Sequence, residues 1–166
     1  MIYIALPVMN EMERLPLLIR AIMSQSEKQF RLIVCVNQPD SWWHDPEHIA
    51  VCEENQLTIG YLKSLEDPRI EIIDRSSPGQ GWPPKSHGIG VARKFLMDSV
   101  SKAAHPHDII ISMDADTVLG NEYIASVAEN LRINPAASAI SIPYYHRLTY
   151  NEELDRAIRR VLNRKT

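Results

Sequence analysis

Two aspartates, one residue apart, follow an apolar run in the second half of the chain. Asp114 and Asp116 come directly after Ile109–Met113, in which four of the five residues are large and apolar and three are β-branched. Such a run is typical of a short strand buried on both faces of a parallel sheet. Residues two apart in a strand point the same way, about 7 Å from each other. Both carboxylates should therefore face one direction beyond the carboxyl end of the strand, where open α/β sheets bind ligands.

Carboxylate oxygens in this position suit Mg²⁺ or Mn²⁺. These hard cations prefer oxygen ligands, and Mg²⁺ is usually shared with substrate phosphates rather than enclosed by protein alone. The competing interpretation is that Asp114 and Asp116 are solvated loop carboxylates that only end the strand. Their place at the carboxyl end of a strand favours a functional site over that alternative.

Strand and helix patterns alternate along the chain, which predicts an α/β fold with a largely parallel sheet. Asn10 is predicted to cap the first helix, with Glu11 and Glu13 in the first turn, next to the positive end of the helix dipole. Ser76–Lys85 contains three prolines and two glycines and is expected to be an irregular loop, mobile or facing the ligand. The predicted strands are Ile2–Leu6, Phe30–Val36, Ile70–Ile73, Ile109–Met113 and Ala139–Ile142. Later helices are predicted within Ser41–Glu66, from Gly88 to Ala103, from Asn121 to Asn134 and from Thr149 onwards.

Composition restricts the class of protein. A chain of 166 residues is expected to form one domain, and a net charge of −3 with a pI near 6.1 argues against a general nucleic-acid binder. No segment approaches the roughly 18 consecutive apolar residues of a membrane span. Met1 leads directly into a strand pattern without a secretory signal, so a cytoplasmic location is expected. Cys35 and Cys52 give no disulfide framework and are interpreted as core thiols.

Three segments resemble the family-2 glycosyltransferases with the GT-A fold. Ile4–Glu11, with the sequence Ile-Ala-Leu-Pro-Val-Met-Asn-Glu, is similar to the family's opening strand, proline and Asn-Glu pair. Gly88–Lys94 is similar to its Gly-x-x-x-Ala-Arg-Asn segment, with Lys94 in place of the asparagine, and Ser112–Asp116 looks like its Asp-x-Asp motif. The resemblance spans roughly residues 1–145. It implies a Rossmann-like three-layer sandwich of the GT-A type, as in nucleotide-diphospho-sugar transferases.

The resemblance implies a donor site for a nucleotide-diphosphate sugar. It places Pro7, Asn10 and Glu11 near the nucleoside, and Asn37 stands where the family often has an aspartate that reads the base. Because asparagine replaces that aspartate, the resemblance leaves the identity of the nucleotide open. It does not identify the sugar either. The acceptor, whether polysaccharide, lipid or protein, is equally open, and no nucleic-acid partner is implied.

The resemblance also gives roles to the charged residues. Asp114 would lie near the ribose and the metal, Asp116 would bind Mn²⁺ or Mg²⁺ directly, and Arg93, in the segment that begins at Gly88, would approach the diphosphate or hold the aspartates in place. The chemistry is coherent, because departure of a nucleoside diphosphate develops negative charge that a divalent ion and a cation stabilise. The alternatives are a surface helix arginine for Arg93 and a plain first-turn charge for Glu11.

No general base for an acceptor hydroxyl is identified. In the family this group comes from a later acidic motif, whereas only about 50 residues follow Asp116. Residues 1–166 are therefore expected to form a single nucleotide-sugar-binding domain without the acceptor-side half, either as part of a longer protein or as a donor-binding form.

Two other functions fit parts of the pattern. An apolar strand followed by Asp-Ala-Asp-Thr also resembles the haloacid-dehalogenase phosphatases, in which Asp114 would be the nucleophile and Asp116 the acid/base. Those enzymes also need a later lysine and a later acidic pair at a strand end, and only Lys165 follows as a lysine. A non-catalytic module that binds a nucleotide sugar is the other alternative.

Two further patterns receive an ordinary interpretation. His44, His48 and Cys52 recur at a spacing of four, which would suit zinc ligands on one helix face, but Pro46 interrupts that helix and no fourth ligand is evident. In the last predicted helix Glu152 and Glu153 stand in the first turn and basic residues follow, an order that suits the helix dipole. This favours a solvated face, although a basic amphipathic helix could also contact the anionic inner surface of a membrane. Its basic residues are Arg156, Arg159, Arg160, Arg164 and Lys165.

Overall fold

A computed structural model describes residues 1–142 and Arg156. The chain divides into two compact units, Met1–Asn130 and Leu131–Thr166. The strands are β1 (Ile2–Val8), β2 (Phe30–Asn37), β3 (Ile70–Arg75) and β4 (Ile109–Ser112). The helices are α1 (Leu15–Met23), α2 (Ile49–Ser64), α3 (Ile89–Ala103) and α4 (Tyr123–Ile133), with a short 3-10 helix at Asp40–His44.

The four strands form one parallel sheet in the order β3-β2-β1-β4. Ile2 at the start of β1 pairs with Phe30 in β2 and with Ile109 in β4. The chain therefore builds outward from β1 to β3 and then crosses back to the other side of β1. This is the order of the first four strands of a Rossmann-like sheet, and the predicted α/β fold with a parallel sheet is confirmed.

Helices cover both faces of the sheet and make a three-layer sandwich. α1, α2 and α4 pack on the face that carries Ile4, Leu6 and Val34. α3 packs on the opposite face, which carries Ala5 and Ile33. Successive residues of a strand point to opposite faces, so the continuously apolar strands supply both cores. Full burial of one such side chain contributes about 1.5–3 kcal/mol.

Both cysteines are buried and free, as predicted. Burial raises the pKa of the Cys35 thiol to about 12, because the charged thiolate would lose its hydration, and the nearby Arg75 offsets this only in part. Burial also raises the pKa of the Cys52 thiol, although the side chain of Gln38 donates to its sulfur and opposes the shift. Neither thiol has the electropositive, accessible surroundings of a reactive cysteine.

The first strand runs longer than predicted, through Pro7 to Val8. Its pairing with β2 continues to Val8, whereas its pairing with β4 ends at Ala5. The carbonyl of Ala5 accepts the amide of Met113 at 3.2 Å, so the backbone groups of alternate β1 residues face β4. The missing N–H of Pro7 therefore points past the end of β4, where the ladder needs no donor.

The first helix begins later than predicted. Asn10 has a φ of 57° and does not cap the helix, and the carbonyl of Glu11 accepts the amide of Leu15 at 2.8 Å to close a turn. α1 starts at Leu15, with Pro16 in its first turn, where a missing N–H costs nothing. The predicted cap was wrong because the amide of Met12, which an Asn10 cap would accept, donates to Oε1 of Glu54 on α2 instead. Four apolar residues at helical spacing are buried on one side of α1: Leu15, Leu18, Ile19 and Ile22.

The predicted fifth strand at Ala139–Ile142 is absent. α4 ends at Ile133, next to Asn134 and Pro135 as expected, and residues 139–142 are irregular. Their apolar side chains are exposed, Ile140 by 41% and Ile142 by 39%. A strand is stabilised by pairing and by burial of one or both faces. This segment is exposed and pairs with none of the residues that the structure describes. The helix predicted from Thr149 lies outside the described residues, except for Arg156. Within the part of the chain that the structure describes, no helix is long and apolar enough to cross a membrane.

Candidate functional site at the carboxyl ends of β1 and β4

The candidate site lies where the strand order reverses. The chain leaves β1 for β2 on one side and returns to β4 on the other, so the carboxyl ends of β1 and β4 are neighbours at the reversal. We call the region between the loops that follow these two strands the crevice. Open parallel sheets bind ligands at such a switch point. Asp114 and Asp116 follow β4, and residues 9–14 follow β1. The sequence located the aspartates at a strand end, and the fold adds that this strand borders the reversal.

The segment after β4 alternates between buried and exposed side chains. Met113 and Ala115 are 6% and 5% exposed, whereas the side chains of Asp114 and Asp116 are 56% and 57% exposed. The two apolar residues hold the segment against the core formed with α1 and α4. Both carboxylates are therefore presented to solvent by an anchored backbone.

Asp114 is paired with Arg93 on α3. Nη2 of Arg93 donates to Oδ1 of Asp114, and the arginine side chain is 43% exposed. Nε of Arg93 is buried and has no hydrogen-bond partner among the described residues. Gly88 immediately precedes α3 with a φ of 106°, a conformation that glycine adopts without steric cost. This glycine lets the chain turn directly into the helix that presents Arg93.

Asp116 has an arginine neighbour that the sequence did not reveal. Nη1 of Arg14 lies 3.9 Å from Oδ2 of Asp116, and both side chains are more than half exposed. Arg14 belongs to the turn that precedes α1. No sequence motif singles out this arginine, and its proximity to Asp116 follows from the fold.

Glu11 adds a third carboxylate to this region. Its pKa is raised, first by partial burial, and then by the negative charges of Asp116, Glu54 and Asp114, while Arg14 opposes the shift. Glu54 comes from α2 and was not foreseen as a neighbour. The crevice therefore concentrates negative charge beside two arginines, an arrangement that can receive both a divalent cation and an anionic group.

The residues present fit a divalent ion that is shared with a ligand. Asp114 and Asp116 supply hard oxygen donors, and Mg²⁺ commonly takes only one or two carboxylates beside waters and phosphates. Among the described residues, no group of three or more His, Cys, Asp and Glu side chains is placed to hold a metal ion. A metal at the aspartates would therefore need oxygen atoms from a bound phosphate or from water.

The candidate zinc residues have other partners. Nδ1 of His48 donates to Oδ2 of Asp45 at 2.7 Å, and the imidazole ring stacks on the ring of Trp42 with 4.3 Å between the ring centres. Cys52 is buried and receives a hydrogen bond from Gln38. His44 lies in the 3-10 helix and is exposed. The ordinary roles that sequence analysis favoured agree with these surroundings.

Asn37 occupies a different environment from the one expected of a base-reading residue. It is 3% exposed. Nδ2 of Asn37 donates to the carbonyl of Val8 at 2.9 Å, and Oδ1 accepts from Nε1 of Trp82 at 3.1 Å. The side-chain amide of Asn37 therefore connects β2 to β1 and to the loop after β3 that contains Trp82. Pro7 is also buried, whereas Asn10 is exposed at the crevice.

The loop predicted to be irregular, Ser76–Lys85, is anchored in its first half. Oδ1 of Asp40 accepts the amide of Gly79 at 2.7 Å, and Trp82 donates its amide to the carbonyl of Gln38 at 2.8 Å. A Cβ at Gly81 would lie 2.5 Å from the backbone N of Asp40, so only glycine fits. From Pro83 to His87 the loop is exposed and leads to the start of α3.

No protein-family model matches this chain, and no curated protein matches it. The geometry of the crevice and the sequence motifs therefore carry the functional assignment.

Proposed function

We propose that the chain binds a nucleotide-diphosphate sugar together with Mn²⁺ or Mg²⁺ in the crevice between the ends of β1 and β4, and that it is a glycosyltransferase resembling family 2 or the donor-binding part of one. One observation carries the proposal. Two exposed carboxylates and two exposed arginines, paired as Asp114 with Arg93 and Asp116 with Arg14, meet at the switch point of a parallel sheet.

The three motif segments support this assignment by their position. The segment that begins at Ile4 ends in the loop beside Asp116, and the segment that begins at Gly88 delivers Arg93 to Asp114. They are separated by tens of residues along the chain, yet their polar ends converge on the crevice. A constellation drawn from three separate elements is stronger support than any single motif.

The aspartates and arginines would have complementary tasks. Asp116 would hold the ion, with Asp114 beside it, and the ion when bound would neutralise charge on the diphosphate. The guanidinium of Arg93 orients Asp114, and its unpartnered Nε–H would gain an acceptor from a rearranged carboxylate or phosphate oxygen. Arg14 is placed to pair with a second anionic oxygen. Positive groups at a leaving diphosphate stabilise the charge that develops there.

The acceptor side stays open in this proposal. We assign no general base, and the acceptor is a polysaccharide, a lipid or a protein. The basic helix predicted from Thr149, which would allow contact with the inner face of a membrane, lies outside the described residues except for Arg156. A cytoplasmic site of action is part of the proposal, because nucleotide sugars are its substrates.

Binding of nucleotides with and without metal tests the proposal. Isothermal titration with UDP, GDP and CDP, each with Mn²⁺, Mg²⁺ or chelator, should reveal one nucleotide that binds only with metal. Asp116→Ala should weaken that binding about ten- to hundredfold, the equivalent of one charge-assisted contact. Arg93→Gln should weaken it to a similar degree.

Matched controls exist for both substitutions. Asp98 is as exposed as Asp116, at 57%, and is paired with Lys94, so Asp98→Ala should leave nucleotide binding unchanged. Arg31→Gln breaks the exposed pair of Arg31 with Glu71 at the opposite end of the sheet. The proposal would be refuted if Asp116→Ala bound the nucleotide as tightly as the unsubstituted protein. Phosphatase activity through an acyl-phosphate on Asp114 would also refute it. Metal-dependent binding without sugar transfer would assign the non-catalytic module instead.

A further inference from the structure

The loop after β1, residues 9–14, carries Glu11 and Arg14 to the aspartates, and its conformation is unusual. Asn10 has a φ of 57°, in the left-handed region that residues with a side chain rarely adopt. Within the loop, no side-chain cap precedes α1. The conformation must therefore be held by contacts from elsewhere in the fold.

Two adjacent residues of α2 supply those contacts. The amide of Asn10 donates to Oδ1 of Asn55 at 2.9 Å, and the amide of Met12 donates to Oε1 of Glu54, also at 2.9 Å. These bonds join residues 45 and 42 positions apart in the chain. The amide of Glu11, between them, has no acceptor among the described residues. Helix α2 therefore accepts hydrogen bonds from alternate amides of the loop. The side chain of Glu11, between them, lies near the carboxylates of Asp116 and Asp114.

The side chain of Asn55 is itself fixed. It is fully buried, and Nδ2 donates to Oε1 of Gln38 at 2.8 Å and, more weakly, to the carbonyl of Asn37 at 3.4 Å. Gln38 is also fully buried and donates to the sulfur of Cys52. Because the donors of Asn55 are taken up on the β2 side, its oxygen is directed at the amide of Asn10. Buried and fully bonded amides of this kind rigidify what they touch.

We propose that Asn55 is a positioning residue for the crevice: it holds Asn10 in its left-handed conformation and thereby directs Arg14 to Asp116. A test of Asn55 by ligand affinity rests on the function proposed above. A test by the hydrogen exchange of the loop amides does not. Asn55 touches no part of the predicted ligand, and it acts through the backbone that precedes Glu11 and Arg14.

Hydrogen exchange of the intact chain, followed by NMR, tests directly whether α2 holds the amides of Asn10 and Met12. In the unsubstituted protein the amides of Asn10 and Met12 should exchange at least about tenfold more slowly than the amide of Glu11, because only the first two are bonded. In Asn55→Ala the amide of Asn10 should lose that protection. Equal exchange at positions 10 and 11 of the unsubstituted protein would overturn the proposal even if Asn55→Ala does not fold.

Affinity separates positioning from a merely structural role. Asn55→Ala should weaken metal-dependent nucleotide binding about tenfold at a temperature well below its melting transition, the loss of one well-placed contact. Ile59→Ala truncates a core residue of the same helix, at 5% exposure, and should lower the melting temperature without changing that affinity. If both variants weaken binding in proportion to their loss of stability, Asn55 is structural and the proposal is wrong.

The two proposals fail in distinguishable ways. If the unsubstituted protein binds no nucleotide with metal, the proposed function is refuted, and the exchange of the Asn10 amide in Asn55→Ala still decides whether Asn55 holds the loop. If nucleotide binds and Asn55→Ala binds it equally well with the Asn10 amide released, the function stands and the positioning role is refuted.

Discussion

Two polar clusters lie at the carboxyl ends of neighbouring strands, and they differ in almost every physical property. The amide cluster follows β2 and is neutral and buried, and its hydrogen bonds are made within the protein. Its members are Asn37, Gln38, Asn55 and Trp82. The charged cluster follows β1 and β4, and its carboxylates and guanidinium groups are largely exposed. Its members are Glu11, Arg14, Arg93, Asp114 and Asp116.

A polar residue at a strand end is therefore not by itself evidence of a ligand site. α2 and the loop bearing Trp82 cover the end of β2, so the amides there became part of the packing. The ends of β1 and β4 border the reversal of strand order, and the carboxylates that follow β4 are more than half exposed there. Buried amides bonded to each other stabilise one conformation, whereas exposed charges remain available to a ligand. Asn55 connects the two clusters, because its side chain accepts the amide of Asn10 in the loop that carries Glu11 and Arg14.

Introducing a charge into the amide cluster should have the largest effect. In Asn37→Asp the buried side chain loses the donor that bonds the carbonyl of Val8, and a carboxylate faces that oxygen instead. We expect the free energy of unfolding to fall by about 3 kcal/mol, the cost of an unpaired buried polar or charged group. Chemical denaturation at pH 7 measures this.

The matched control is Asn121→Asp, which makes the same chemical change on an exposed residue. It should alter the unfolding free energy by less than about 0.5 kcal/mol, as is usual for surface substitutions. A similar loss in both variants would show that the amide cluster is not closed to water.

Filling the space at Gly81 should have the next largest effect. In Gly81→Ala the new methyl would lie 2.5 Å from the backbone N of Asp40, so the loop that bears Trp82 must shift. We expect a loss of about 1–3 kcal/mol, typical of overpacking, measured as a lower midpoint of urea unfolding.

Gly60→Ala provides the comparison for that prediction. Gly60 lies inside α2, and an added Cβ would meet nothing within 4 Å. Alanine is the better helix former, so this variant should be more stable by about 0.5–1 kcal/mol. If Gly81→Ala also proved neutral or stabilising, the loop would not be anchored as the structure has it.

Removing a charge from the charged cluster should have the smallest effect, and its size should depend on pH. The pKa of Glu11 is raised in the folded state by partial burial and by its carboxylate neighbours. The folded protein then holds this proton more tightly than the unfolded chain, so ionisation of Glu11 lowers stability as pH rises through the folded pKa. Glu11→Gln should therefore melt at a higher temperature than the unsubstituted protein at pH 7.

That advantage should shrink as pH falls and vanish below the ordinary glutamate pKa of 4.5, where Glu11 is protonated in both states. Glu13→Gln, an exposed substitution two residues away, gives the comparison for a glutamate in the same turn. Melting curves between pH 3.5 and 8 would contradict this picture if Glu11→Gln were less stable at neutral pH.

Local patterns were sufficient for most of the fold. The β-branched runs predicted all four observed strands, and the helical pattern after Gly88 predicted α3. These features are determined within a few residues, because a period of two or 3.6 is written directly in the order of side chains. The apolar run before Asp114 and Asp116 also placed both aspartates directly after a strand.

Tertiary structure decided what the local pattern left open. Asn10 has the residue type of a helix cap, but its amide is bonded to Asn55 of α2. The side chain of Asn37 is bonded to Val8 and to Trp82. Both outcomes depend on groups tens of residues away in sequence, because hydrogen bonds and burial of this kind form only when distant elements pack together.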